Sequence, residues 1–242
     1  MAVERTRRDG QPGYLLHTYP YRETSLVAEV YTRDSGRVAV IARGARRPRS
    51  ALRGVLMAFQ PLLLSWAGKA ELKTLHKAEW QGGYMPLRGL GLICGFYLNE
   101  LLLKLLPRED PHERLFEAYA TALAQLPLAQ DHAAVLRRFE RVLLQELGYG
   151  LVFDREVISG APIAANGIYR YVPERGPVAA GEVEAQSGVE LAGQTLIDMA
   201  VDQYADPRTV QQSKTLMRAL INHCLGNQTL HTRQLLRDLQ QL

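Results

Sequence analysis

LVAEVYTRDSGRVAVIARGARRPRSALRG, residues 26–54, is the stretch that decides the fold. Leu26, Ala28 and Val30 alternate with Val27, Glu29 and Tyr31. Val38, Val40 and Ala42 alternate with Ala39, Ile41 and Arg43. A period of two sends successive side chains to opposite faces of a strand. Asp34-Ser35-Gly36 between the runs is turn chemistry, so the segment predicts a β-hairpin. Beyond it Arg43, Arg46, Arg47, Arg49 and Arg53 fall within eleven residues that contain no acid. Guanidiniums so crowded repel one another. They are tolerable in a solvated loop, and they make most sense with an anion laid across them.

Outward from the hairpin, the flanks extend the β pattern. Tyr14–Thr18 is a short apolar strand, and Tyr19 and Tyr21 flank a proline in a predicted turn. Pro61–Trp66 and Ala70–Glu79 form a second hairpin about Ala67-Gly68-Lys69. Five short strands with a long excursion (residues 44–59) between the third and fourth predict a closed barrel of the OB type over residues 13–82. Residues 1–12 are expected as a flexible basic extension. Gly82-Gly83 and Pro86 mark a boundary, after which the period becomes helical through 83–242. Leu98, Leu101, Leu102 and Leu105 make one stripe, ended by Pro107. Further helices are expected over 113–126, 132–147, 190–204, 207–225 and 232–242. Residues 151–182, rich in Gly and Pro about Tyr169-Arg170-Tyr171, read as an irregular insertion. The fold class is therefore α+β: a five-stranded OB barrel followed by a mostly helical domain.

Composition sets limits on function. The 242 residues are 47% apolar, enough for a real core, and carry a net charge of +4. Residues 1–80 hold fourteen Lys/Arg against seven Asp/Glu, and residues 81–242 hold fifteen against eighteen. A basic first third joined to a slightly acidic remainder suggests a nucleic-acid-binding module with a second module beside it. Cys94 and Cys224 lie apart in helical patterns and read as core thiols in a reducing compartment. The opening residues lack the apolar core of a signal peptide, and no apolar run is long enough to span a bilayer. A cytoplasmic, nucleoid-associated protein with no membrane partner is expected.

The chemistry-bearing clusters follow from these features. A phosphate backbone is the natural anion for the arginine loop, since neutralising phosphates releases counterions without reading sequence. Arg37, Arg43, Arg46, Arg47, Arg49 and Arg53 are the candidate nucleic-acid contacts, with Arg5, Arg7, Arg8 and Arg22 able to extend the field. Tyr14, Tyr19, Tyr21, Tyr31 and Trp66 are candidate stacking platforms, Tyr19 and Tyr21 favoured. On the helix from 132, Arg137, Arg138 and Arg141 accompany Leu136, Phe139 and Leu143. That face is either solvated or a groove for a short acidic, apolar peptide. Lys214/Arg218 and Arg233/Arg237 are further i, i+4 pairs, either solvated or a second anion face. No phosphate-binding loop, no H-x-x-x-H pair and no G-x-S-x-G elbow occurs, so no enzyme is expected.

An ordered set of matches carries a family resemblance. Gly13–Leu26 is followed by Tyr31-Thr32, Ser35-Gly36-Arg37 and Ala42-Arg43-Gly44-Ala45-Arg46. Then come Phe59-Gln60-Pro61, Leu72-Lys73-Thr74-Leu75, Tyr97-Leu98-Asn99-Glu100-Leu101-Leu102, Leu136-Arg137-Arg138-Phe139-Glu140 and Leu147-Gly148-Tyr149-Gly150. The set resembles the RecO recombination mediator family, densely over the first 105 residues and more thinly after 155. The resemblance implies an OB domain and a helical domain. It implies a protein that binds single- and double-stranded DNA and anneals complementary strands. Such a protein would act with RecR, and in some systems RecF, to load RecA onto DNA coated by the single-stranded-DNA-binding protein SSB. The resemblance further implies docking on the acidic C-terminal tail of SSB, for which Arg137, Arg138, Phe139 and Arg141 are the candidates. Many members carry a four-cysteine zinc site after the Leu-Gly-Tyr segment. Here Asp154–Gly160 and Tyr169–Val178 contain no cysteine, so no zinc and no other cofactor is expected, and 151–182 reads as a degenerate zinc-finger-like segment. The alternative is a plain OB module for single-stranded RNA or DNA with no mediator role.

Overall fold

The structure is a computed structural model that describes residues 7–83, 85–181, 188–226 and 228–239. The chain forms two compact units, one of residues 1–128 with 230–242 and one of residues 129–229.

The first unit is built on a closed barrel of β1 (Arg7–Tyr21), β2 (Ser25–Thr32), β3 (Gly36–Ala42), β4 (Pro61–Ala67) and β5 (Leu72–Trp80), hydrogen-bonded in the order β1-β2-β3-β5-β4. Antiparallel β1–β4 pairing and a short parallel β3–β5 contact, Ala39 opposite Leu72, close it. The even-numbered residues of the hairpin point inward. Ala28, Val30, Val38, Val40 and Ala42 join Leu15, Leu62, Leu64, Trp66 and Leu75 in the barrel core. Gly36 starts β3 at φ +63, and a Cβ there would lie 2.2 Å from the Asp110 carbonyl oxygen, so only glycine fits.

Two expectations are corrected here. Residues 7–12 do not form part of a loose extension, because β1 already pairs with β4 at Arg7–Ala67 and Arg8–Trp66. Residues 1–6 lie outside the described residues. Strand β1 also runs on to Tyr21, pairing Tyr19 with Val27 and Tyr21 with Ser25, so Tyr19 and Tyr21 sit in a strand and not in a turn. Pro20 is tolerated because strand ends accept a missing donor.

The same unit includes helices α2 (Gly89–Leu105), α3 (Glu113–Gln125) and α7 (His231–Leu239), while α1 (Leu52–Val55) lies in the excursion after β3. It therefore reaches beyond residues 13–82. Tyr14 and Tyr31 on the barrel meet Phe116 and Tyr119 of α3 at 5.2–6.1 Å between ring centroids. Asn99 ties the assembly, donating to the Leu16 carbonyl at 2.9 Å and accepting from the Tyr119 hydroxyl at 2.5 Å. Glu100 accepts from the His231 and Thr232 amides and from the Thr232 hydroxyl, and so caps α7 from a helix 131 residues away in sequence.

The second unit contains α4 (His132–Glu146), a three-stranded sheet ordered β7 (Gly176–Ala179), β6 (Ile168–Val172), β8 (Val189–Ala192), and helices α5 (Gly193–Ala200) and α6 (Pro207–Leu225). Val135, Phe139 and Leu143 on one side and Leu216, Met217, Leu220 and Ile221 on the other are buried. Asp131 and Asp206 cap α4 and α6 through side-chain bonds to backbone amides, and Pro207 follows at the first helical turn. The segment expected as irregular holds β6 and β7. The helix expected from residue 190 begins as β8, because Val189–Ala192 pairs with Ile168–Tyr171 before Gly193 turns into α5.

Candidate nucleic-acid interface

The arginine loop is ordered by its own backbone. The Arg46 amide donates to Thr24 at 2.9 Å, Arg47 to Gly44 at 3.0 Å, Ser50 to Arg47 at 3.0 Å and Arg53 to Ser50 at 3.2 Å. Ala45 is buried in the barrel core, and Leu52, Val55 and Leu56 pack against it. These apolar pegs hold the chain close while the side chains of Arg43, Arg46, Arg47, Arg49 and Arg53 stay exposed. Arg46 donates to the Arg22 and Glu23 carbonyl oxygens, both at 3.3 Å, clipping the loop to the β1–β2 turn. Among the described residues none of the five arginines has a carboxylate partner. The loop and the β1–β2 turn border an open groove of about 670 Å³ lined by Tyr21, Arg22, Glu23, Ile41, Arg43 and Arg47.

Arg37 does not join them. Its guanidinium is paired with Glu29 at 3.2 Å and donates twice to the Leu106 carbonyl, at 3.0 and 3.2 Å. Arg108 meets the same Glu29 carboxylate, and Glu71 as well. The expected DNA contact is thus a structural cation, spent on a nearly buried acid. Among the outlying arginines, Arg7 is paired with Asp9 at 2.9 Å, Arg8 is exposed, and Arg5 lies outside the described residues.

The candidate aromatics separate by burial. Tyr14, Tyr31 and Trp66 are core residues. Tyr19 is 47% exposed and Tyr21 half-buried at the groove. His17 and Phe96 went unmarked in the sequence. His17 lies against Tyr19 at 4.5 Å between ring centroids, and Phe96 is 45% exposed. The alternation of His17, Tyr19 and Tyr21 is the signal that would have found the first of them, once β1 is extended past Pro20.

The α4 cluster is more deeply set than its sequence suggests. Phe139 is 1% exposed and belongs to the core, so it offers no contact surface. Arg137 is 7% exposed and paired with Glu140 at 2.8 Å. Arg138 is exposed and bonds Asp202 at 2.6 Å, and Arg141 donates to the Met199 carbonyl at 2.7 Å. Tyr204 lies beside all three arginines. Burial first, and then the charge of Asp202, push its hydroxyl up to about 12 against the lowering effect of those arginines. The Arg137 Nε, one Asp202 oxygen and the Tyr204 hydroxyl are buried without a partner among the described residues. Lys214 and Arg218 stand exposed on α6. Arg233 instead bonds the Tyr97 hydroxyl and covers its ring, and the Arg237 side chain lies outside the described residues.

In the degenerate finger segment, the Glu156 carboxylate accepts from the Ile158 and Ser159 amides and the Ser159 hydroxyl, closing a tight loop. The Ser159 hydroxyl and these amides hold its carboxyl below the usual range. Among the described residues no group of three or more His, Cys, Asp or Glu is placed to hold a metal ion, and no helix is long and apolar enough to cross a membrane.

Two family models match successive lengths of the chain: Recombination protein O N terminal over residues 9–84, and Recombination protein O C terminal over residues 88–234. The chain is 57% identical over 242 residues to the DNA repair protein RecO of Nitrosospira multiformis, covering all of both chains. It is 55% identical over 240 residues to that of Aromatoleum aromaticum, covering 99% of each, and 54% identical over 247 residues to that of Thiobacillus denitrificans, covering 98% of this chain and 94% of the other.

Proposed function

Since the chain belongs to the RecO family of DNA repair proteins, we propose that it binds single- and double-stranded DNA on the arginine face of its barrel and anneals complementary strands. With RecR, and with RecF where that is required, it would help load RecA onto SSB-coated DNA. The uncompensated loop of Arg43, Arg46, Arg47, Arg49 and Arg53 carries this reading. Annealing requires no nucleophile. It requires two polyanions brought together with their charge neutralised and their base edges left free. A loop that grips phosphates and reads no bases meets that need.

Docking on the acidic tail of SSB falls to the surface beside α4. Arg138 is its exposed cation, Arg141 stands next to it, and Arg137 and Phe139 support the surface from beneath. A tail carboxylate would compete with Asp202 for Arg138. The contact concentrates the protein on coated strands, an effective-concentration effect.

The test is annealing of two complementary oligonucleotides coated with SSB or with SSB lacking its tail. Acceleration that requires the tail, falls with Arg138→Glu and leaves naked-DNA binding intact supports the reading. Triple reversal of Arg46, Arg47 and Arg49 to Glu should weaken binding to both DNA forms. It should also lower the steepness of log affinity against log salt by about 2 for single strands, at ~0.7 per phosphate. An unchanged slope would remove the loop from the interface.

A further inference from the structure

Resting on the DNA-binding reading above, we propose that the outer face of β1–β3 carries a stacking track for unpaired bases. Tyr21 and Tyr19 are its platforms, and it leads from the arginine groove into the cavity beside Phe96. This track, and not the arginines, gives the protein its hold on single strands as distinct from duplex.

The register places the parts. Ala28, Val30, Val38, Val40 and Ala42 face the core, so their odd-numbered neighbours face outward. Thr18 stands opposite Ala28, Tyr19 opposite Val27 and Tyr21 opposite Ser25, while Val27 stands opposite Ile41. Tyr19, Val27 and Ile41 therefore form one row across the outer face, with Tyr21 and Ser25 in the next. Val27 and Ile41 are half-buried and supply an apolar floor. Arg43 continues the row of outward residues at the end of β3, and Arg47 borders the same groove as Tyr21 and Ile41. Cations thus stand at the edge of an aromatic and aliphatic surface, which is what a backbone with its bases turned inward requires.

At the other end the track opens on a second cavity, of about 640 Å³, lined by His17, Tyr19, Phe96, Leu103 and Leu235. Asn99, Glu100 and Thr232 among its polar groups are already engaged, and His17, His231 and Gln234 also line it. Asn99 is bonded to Leu16 and Tyr119, and Glu100 to the start of α7. The remaining lining offers mainly ring faces and aliphatic carbon to a guest, with the His17 and His231 rings and the Gln234 amide as its hydrogen-bonding groups. Such a site takes the π-face of any base and reads no sequence.

Spacing makes the track selective. Alternate residues of a strand are about 6.6–6.8 Å apart, twice the ~3.4 Å per nucleotide of a duplex strand. One nucleotide per tyrosine therefore demands a stretched strand with its bases unstacked. A single strand can comply, and a paired one must first melt. The arginine loop makes no such demand and holds either form by its phosphates.

The test compares three fluorescein-labelled probes of equal length: oligothymidine, an abasic oligonucleotide with the same phosphates, and a duplex. Wild type should bind oligothymidine about tenfold or more tighter than the abasic strand, since stacking contributes several-fold per base. The double variant Tyr19→Leu/Tyr21→Leu should bind those two equally and keep its duplex affinity within about twofold. Tyr19→Phe/Tyr21→Phe should behave as wild type, because the ring remains. Oligothymidine affinity unchanged in the leucine variant overturns the track, as does an equal loss on all three probes. Arg47→Glu/Arg49→Glu is run in parallel. If that variant keeps full affinity for every probe, the DNA-binding reading itself fails. If it loses affinity on all three while the leucine variant keeps its oligothymidine affinity, or loses equally on all three probes, the track alone is wrong.

Discussion

Glu29 holds two arginines inside the first unit. Its side chain is 4% exposed, and Arg37 and Arg108 converge on it from β3 and from the loop after α2. Removing a buried acid leaves its partners' charge uncompensated, which costs more than the pair contributes. Glu29→Gln should therefore destabilise the protein by about 2–3 kcal/mol, below the usual range for a fully buried pair because Arg108 can turn toward water. A urea midpoint unchanged by the substitution would show that the cluster is worth no more than a surface pair. This cluster also marks the limit of what sequence reading reached at single residues. Arg37 looks like any other arginine near the loop. Only the register that brings Glu29 beside it, across the β2–β3 hairpin, and the approach of Leu106 from α2, distinguish it from Arg43 or Arg47. The loop arginines themselves were legible, since a run of five cations without an acid has few ways to be buried.

Helix α7 is capped by a carboxylate on another helix. Burial alone would push the Glu100 carboxyl up. The amides of Thr232 and His231, the Thr232 hydroxyl and Lys104 outweigh burial and hold it below its ordinary value of 4.5. The sign follows from that direction. An acid whose folded value is depressed contributes stability that is fully present above its unfolded value, near pH 4.5, and lost as pH falls through the lower folded value. The loss belongs to the acid limb below about pH 4.5. Glu100→Gln should lower the urea midpoint at neutral pH and flatten its decline across that limb. A variant whose acid limb runs parallel to wild type would remove Glu100 as its source. At the level of elements the sequence was most readable where one periodicity ran unbroken. The hairpin of β2 and β3 and helices α3, α4 and α6 fall within a residue or two of the bounds read from it. The misses share a cause. Arg7–Gly10 lacks apolar alternation because its pairing with β4 lies at the exposed barrel end, and β8 is four residues long and abuts a helix of the opposite period.

The two units are not two successive lengths of chain. Residues 230–242 return to the unit formed by residues 1–128, so residues 129–229 are inserted within it. Sequence reading divided the chain near residue 82, where composition and period change, because nothing local tells that α2, α3 and α7 complete the unit of the barrel. The tertiary bonds of Asn99 and Glu100 carry that information. The arrangement can be tested with two signals. Both tryptophans of the chain, Trp66 and Trp80, lie in the first unit, so their fluorescence follows that unit alone, whereas far-UV circular dichroism follows both. Deleting residues 230–242 should move the fluorescence transition to lower urea while the dichroism of the second unit keeps its midpoint. A coincident shift of both signals would mean that the units unfold as one.

The capping of α7 by Glu100 also sets a clock on biosynthesis. Glu100 emerges from the ribosome long before His231 and Thr232, the groups that satisfy it. At ~5–20 residues per second, the intervening length of roughly 130 residues delays their meeting by about 7–26 seconds. Throughout that interval the nascent barrel with α1, α2 and α3 exists without α7, with the Phe96 cavity open along the side that Leu235 later lines. The residues that begin the first unit are made early, yet it is finished only after the whole of the second has been translated. For this chain, synonymous codon choice between residues 129 and 229 would govern how long the incomplete first unit stays exposed to chaperones and proteases.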